Sequence, residues 1–426
     1  TSIGPGATNM ITAAASATIN RIPVLLLPGD FFSKRSASPL LQQTEHSFTQ
    51  DMSANDCFKP ISKYWDRINR PEQLISSLLE AMRVLTSPSE TGAVTIAMPH
   101  DVQAEAYDFP AEFFEKRVWY VPRMTPDNFL LNKAIDIIKN SKKPMIVAGG
   151  GVIYSGAEDK LKALVENTGV PVVETFAGKG SIHYKHPLNL GALGATGTKG
   201  ANLIAKDADV VIGIGTRYGD FMSASKTAWQ NPDVKFININ VKEFDAFKQS
   251  AIPLHGDAKK TIQLINNNLK GFNTSKDYLN KVKQYCIEWD TIVDEVYNTV
   301  DENNPVQSEY IGALNEFIDD NDVIVCAAGS APGDLHKLWR TKNSKGFHLE
   351  YGNSCMGYEI PGGLGVKMAD PKREVYVICG DASYLMLPSD IITTIQEGYK
   401  ITIILINNEG YASIGGLSNS VSGEGF

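Results

Sequence analysis

The stretch GDASYLMLPSDIITTIQEGYKITIILINN, residues 380–408, constrains the fold of this chain more than any other. The apolar run at 375–379 reads as a strand, and a turn follows it. Apolar residues at helical spacing cover about 389–396, Gly398 stops that helix, and a second apolar run covers 401–406. Strand, crossover helix and strand make a βαβ unit, so the two strands are parallel. Asp381 and Asn408 then fall at the same C-terminal edge of one sheet, where open α/β sheets bind ligands.

The same alternation runs through the rest of the chain. IPVLLLPGD and GAVTIAMPHD read as strands around the amphipathic PEQLISSLLEAMRVLTS, and a small-residue helix, ATNMITAAASATIN, precedes them. PMIVAGGGV, VPVVETF, ADVVIGIGTR and VKFININ are apolar runs of the kind buried on both faces of a parallel sheet. With 426 residues there is material for several cores. The expected organisation is α/β, with three successive doubly wound parallel-sheet domains truncated at both ends. The blocks are 1–105, a Pro-rich linker at 106–126, 127–270, a polar helical connector at 271–300, and 301–426. The chain opens on a Gly-Pro-Gly turn, and its last residues, SVSGEGF, read as a polar loop that starts no new element. Both ends therefore read as cuts in a longer protein.

Several function classes are disfavoured. A net charge of -8 is wrong for a nucleic-acid backbone partner. Runs such as ITIILI are too short to cross a bilayer. The five cysteines form no CxxC, which suits a reducing cytoplasm, and the seven histidines show no metal-ligand spacing. AGGGVIYSG departs from GxGxxG, and FAGKGS lacks the first glycine of a Walker loop, so both read as tight turns.

The strand-to-helix turn at 380–383 presents backbone N–H groups to an anion, and Gly380, Ala382 and Ser383 are small enough to let a phosphate approach. Asp381 supplies an anionic oxygen, Asn408 an amide oxygen and Gly410 a backbone carbonyl. Such hard donors suit Mg2+, which completes its shell with phosphate oxygens and water. A metal-bridged diphosphate is one reading. The other is that Asp381 caps a helix and Asn408 closes a turn. The spacing alone leaves both open.

Gly380-Asp381-Ala382, a spacer, then Asn407-Asn408 resembles the Gly-Asp-Gly…Asn-Asn motif of the thiamine-diphosphate-dependent enzymes, of acetolactate-synthase-like type, with Ala382 in place of the third glycine. A second motif, GNSCMGYEIPGGLG, lies upstream at the matching distance. The resemblance implies that Met356 is the apolar wedge beneath a bent thiamine diphosphate, with Gly357 beside it. It further implies that Gly329, Ser330 and Ala331 touch the diphosphate. Gly380, Asp381, Ala382, Ser383, Asn408, Gly410 and Tyr411 would complete the cofactor site, with Asp381, Asn408 and Gly410 holding Mg2+. The three blocks would be the later part of a pyrimidine-binding domain, a middle domain and a diphosphate-binding domain. The glutamate that activates the cofactor would lie upstream of Thr1, so no catalytic residue is assigned in this chain.

Runs such as FKPISKYWDRINRPEQL, PVVETFAGKGSIHYKHPLNLGALGATG and FHLEYGNSCMGYEIPGGLGVKMADP resemble one branch of that family. That branch implies hydrolytic C–C cleavage of a polyhydroxylated cyclic 1,2-diketone in inositol breakdown. It also implies a homodimer or homotetramer with the cofactor at the subunit interface. The alternatives are an acetolactate-synthase-like carboligase and a non-catalytic cofactor-binding or scaffold fragment. Cys355 sits beside Met356, but no Cys/His arrangement supports a nucleophile there.

Overall fold

The computed structural model describes residues 1–35, 39–301 and 305–423. Contacts divide the chain into two compact units, Thr1–Pro122 and Arg123–Phe426.

In the first unit, four parallel strands form one sheet: β1 (Val24–Leu26), β2 (Gly29–Asp30), β3 (Tyr64–Arg67) and β4 (Ala93–Pro99). β4 pairs with all three others, which accounts for its apolar composition and near-complete burial. Helix Gln73–Leu85 buries Ser77, Ala81 and Val84, the i, i+4, i+7 stripe that its spacing predicts. At the C-terminal end of β2 the fully buried Asp30 accepts from Arg67 Nε at 2.8 Å, and Arg67 Nη2 reaches Asp56 at 2.7 Å. One guanidinium fork thus ties two carboxylates together.

The second unit holds two further sheets. The first has β5 (Pro144–Ala148), β6 (Val172–Glu174), β7 (Asn189–Ala192), β8 (Val210–Ile214), β9 (Lys235–Asn240) and β10 (Ile252–His255), in the order β10-β9-β8-β5-β6-β7. Every residue of β5 and β8 is buried, as strands covered on both faces must be. The glycines of AGGG and of FAGKGS answer to packing. A Cβ on Gly149 would lie 2.4 Å from the Gly215 carbonyl oxygen, and one on Gly178 would lie 2.0 Å from that of Ala148.

The other sheet of this unit has β11 (Val323–Cys326), β12 (Phe347–Leu349), β13 (Val375–Gly380) and β14 (Thr402–Ile406), in the order β12-β11-β13-β14, all parallel. Helix Lys276–Tyr297, capped by the Ser275 side chain, joins the two cores. Tyr278 and Val282 belong to the apolar core of the six-stranded sheet, and Val293 and Tyr297 to that of the four-stranded sheet. Tyr278 donates to the Pro144 carbonyl and Tyr297 to that of Leu338. The stretch expected as a connector is therefore structural for both sheets.

Two local expectations change. The segment after β13 is helical, Asp381–Met386, before the crossover helix Asp390–Gln396. The terminal stretch read as a loop is partly helical, because helix Ala412–Ser422 runs through 420–422 and ends at Gly423 in the left-handed conformation. Residues 424–426 of that stretch lie outside the described residues.

Candidate functional site

The strand order of the four-stranded sheet creates a crevice. From β11 the chain goes to β12 on one side, then crosses to β13 on the other. The connections leaving β11 and β13 diverge there, which makes the C-terminal ends of these two strands a topological switch point, where ligands bind in open α/β sheets. The loop with Gly329 and Ser330 leaves β11, and Asp381 follows β13 directly.

Register brings the next strand into line. Gly380 pairs with Ile406, so Asp381 and Asn408 both emerge at this edge. The inward terminal amide atom of Asn408 lies 3.0 Å from Asp381 Oδ1 and 2.9 Å from the Gly410 carbonyl oxygen. Of the three groups expected to hold a metal, Asn408 therefore contacts both of the others. Gly410 has φ of +136°, a conformation that favours glycine, and its carbonyl oxygen meets the Asn408 side chain. With the amide turned to present its oxygen, a carboxylate, an amide oxygen and a backbone carbonyl are hard donors of the kind Mg2+ takes. The donor set fits Mg2+. A Cβ at Gly329, Gly380 or Gly410 would meet nothing within 4 Å, which leaves room for a ligand along this edge.

The loop bearing Met356 crosses the same crevice. Met356 is half-buried, and Gly357 has φ of +89° with Leu387 and Met386 against it. Two buried carboxylates hold this loop. Glu350 accepts from the N–H of Asn353 at 2.8 Å and of Cys355 at 3.0 Å. Glu359, only 1% exposed, accepts from the Gly357 N–H at 3.0 Å, the Ser383 hydroxyl at 2.7 Å and the Ala328 N–H at 3.2 Å. The Ser383 hydroxyl also accepts from the Gly357 N–H at 2.8 Å. With its hydroxyl so engaged, Ser383 has its backbone N–H to offer a phosphate.

The remaining expected residues take different positions. Ser330 precedes helix Ala331–Leu338, and its hydroxyl lies 3.4 Å from Gln307 Oε1. Ala331 is buried in the core beneath, so its backbone alone reaches the edge. Ala382 is half-buried beside Asp381. Tyr411 is exposed at the start of helix Ala412–Ser422.

Glu350 and Glu359 were not singled out from the sequence. The signal available was two glutamates flanking a Gly-rich apolar segment, where an unpartnered buried carboxylate would be costly. The glycines of the helix that begins at Glu359 help to place it. A Cβ on Gly363 would lie 2.3 Å from Val377 Cγ2, so this helix packs close against β13.

The local electrostatics disfavour thiol chemistry. Burial, with the Glu359 charge, pushes Cys379 up to about 12, and burial followed by Glu350 and Glu359 raises Cys355. A thiol held protonated is a poor nucleophile. A cavity of about 260 Å3 elsewhere in this unit is lined by residues such as Tyr184, Asn189, Trp289 and Arg340, and by none of the expected site residues. The switch-point crevice is an open sheet edge, so its recognition rests on donor geometry. Among the described residues no helix is long and apolar enough to cross a membrane.

Comparison with known proteins agrees with this geometry. Residues 131–265 match the thiamine pyrophosphate enzyme central domain, and residues 327–425 match the C-terminal TPP binding domain of the same enzymes. The chain is 48% identical over 444 aligned residues to a 3D-(3,5/4)-trihydroxycyclohexane-1,2-dione hydrolase of Clostridium tetani, covering 98% of this chain and 69% of the relative. A protein of the same name from Clostridium botulinum is 47% identical with the same coverage. One from Bacillus cereus is 45% identical, with 68% of its length covered.

Proposed function

This chain belongs to the thiamine pyrophosphate enzyme family, and on that premise we propose that it acts in the hydrolytic C–C cleavage of a polyhydroxylated cyclic 1,2-dione, trihydroxycyclohexane-1,2-dione, to an open-chain sugar acid of inositol breakdown. The observation that carries the chemistry is the convergence of Asp381, Asn408 and the Gly410 carbonyl at the switch point. The choice of substrate is supported by the hydrolase relatives.

In this reading Asp381, Asn408 and Gly410 hold Mg2+, which neutralises diphosphate oxygens. The backbone N–H groups of Gly329, Ser330, Ala382 and Ser383 face the phosphates, with Gly380 providing the bare backbone they approach. Met356, steadied by Gly357, supports the cofactor from beneath, and Ala331 and Tyr411 border the site. Thiamine diphosphate, when bound, supplies a nucleophilic carbon and an electron sink for the C–C bond that breaks. The protein's part is to bind and orient it.

The block at 1–105 takes the part of a pyrimidine-binding domain, 127–270 that of the middle domain and 301–426 that of the diphosphate-binding domain. The assembly is a homodimer or homotetramer with the cofactor at the subunit interface. Exposed apolar side chains near the site support association: Leu385, Met386, Leu387, Ile414 and Leu417.

The test is calorimetric titration of thiamine diphosphate into the full-length protein, with Mg2+ and with chelator, beside a ring-opening assay on the dione. Saturable Mg2+-dependent binding, absent in Asp381→Ala, together with cofactor-dependent opening, is the expected result. Ring opening without thiamine diphosphate, or unchanged binding by Asp381→Ala, would overturn the proposal.

A further inference from the structure

Three segments that converge on the switch point are distant in sequence: the loop after β11, the Met356 loop and the helical turn after β13. One side chain touches all three. Glu359 Oε1 accepts from Ala328 N–H, next to Gly329 and Ser330. Its Oε2 accepts from Gly357 N–H, next to Met356, and from the hydroxyl of Ser383, two residues after Asp381. The Gly357–Ser383 hydrogen bond closes the ring of contacts. The carboxylate accepts from three donors and is almost wholly buried.

We propose that Glu359 is a positioning residue that sets the diphosphate loop, the wedge loop and the metal-bearing turn in one binding-ready arrangement before the cofactor arrives. This rests on the cofactor reading above. The physical basis is preorganisation, since loops already held in their bound geometry lose less entropy when the ligand binds. The carboxylate is needed because each of its neighbours is a donor. An amide in its place must turn its NH2 either toward Ala328 N–H or toward the Gly357 N–H and Ser383 hydroxyl, and either choice opposes donor to donor. The Glu350 carboxylate accepts from Asn353 and Cys355 of the wedge loop, and so serves as an internal control.

The experiment has two arms on the full-length protein. In the first, hydrogen exchange without cofactor is followed on peptides spanning 327–331 and 353–358. Glu359→Gln is expected to speed exchange in both peptides by at least tenfold, and Glu350→Gln in the second alone. This arm needs no cofactor, so it stands even if the cofactor reading falls.

In the second arm, calorimetry with Mg2+ should show thiamine diphosphate binding weakened at least tenfold by Glu359→Gln. kcat should fall while KM for the dione changes less than threefold. Ser383→Ala removes one arm of the contact and should weaken binding by a smaller factor. Its effect should be less than additive with Glu359→Gln, because both touch one hydrogen bond. Should Glu359→Gln not fold, Ser383→Ala carries the test alone. A folded Glu359→Gln with wild-type exchange in both peptides overturns the proposal, as does wild-type cofactor affinity in a folded Glu359→Gln or in Ser383→Ala. Loss of cofactor binding by the wild type, with the exchange result intact, overturns the cofactor reading instead.

Discussion

Asn408 meets Asp381 across the edge of two adjacent parallel strands, its terminal amide atom 3.0 Å from the Asp381 carboxylate oxygen. That contact can be made in two ways. With the amide nitrogen inward, Asn408 donates to Asp381 and to the Gly410 carbonyl. With the oxygen inward, three acceptors face one another and need a cation between them. In the proposed site the same side chain would close the edge without metal and ligate with it.

Asn408→Asp removes the first option. Two carboxylates would then meet at the sheet edge, costing about 1 kcal/mol at this solvent-accessible position. The expected outcome is a lower melting temperature in chelator and a larger upward shift on adding Mg2+ than the wild type shows. Equal Mg2+ shifts in the two proteins would remove Asn408 from the metal site. Scanning calorimetry reads both.

Met356→Ala separates binding from orientation. The metal and phosphate contacts remain, so the Kd for thiamine diphosphate should change less than about threefold while kcat falls about a hundredfold, the size of effect that misorientation produces. An unchanged kcat would return Met356 to ordinary packing.

Arg67→Ala tests the first unit. It leaves Asp30 buried without its cation, a change that costs about 3–5 kcal/mol. Burial raises the Asp56 carboxyl, but hydrogen bonds from Lys59, the Ser53 backbone and Arg67 outweigh it, and the net shift is below the ordinary 3.8. A depressed folded value gives stability that is present above 3.8 and lost as pH falls through the folded value. The gap between wild type and variant in urea titrations should therefore narrow below pH 3.8. A gap that widened on acidification would contradict the assignment.

Lys179 tests the junction between the two sheets of the second unit. Its Nζ donates to the His336 carbonyl at 3.0 Å. Burial lowers the ammonium to about 8 against an ordinary 10.5, with the Glu174 charge opposing the fall. Between those values the unfolded chain keeps a proton that the folded one has shed, so this group's contribution to stability rises with pH. Wild type should gain on Lys179→Met as urea midpoints are measured from pH 8 toward 10. A constant difference across that range would show that the lysine does not titrate there.

The parallel strands were legible because strands buried on both faces must be apolar along their length. PMIVA and VVIGI show this plainly. The Asp381…Asn408 pair was legible because a βαβ crossover sends both strand ends to one edge. The helix Ala412–Ser422 was missed because ASIGGLSNSVS is rich in Gly and Ser, poor helix formers whose propensity here gives way to context. The helical turn at Asp381–Met386 was missed because six residues carry too little periodicity to register.

What the sequence alone determined is the set of parallel strands and the polar residues at their C-terminal ends, since hydrophobic periodicity and chain direction are local properties. What only the tertiary structure decided is which of those ends meet. Strand order put β11 beside β13, and the close packing of the helix at Glu359 on β13 brought one carboxylate to donors from three segments, two loops and a helical turn. A buried charge is stable only where such donors converge, and convergence across distant segments leaves no spacing in the chain to be read.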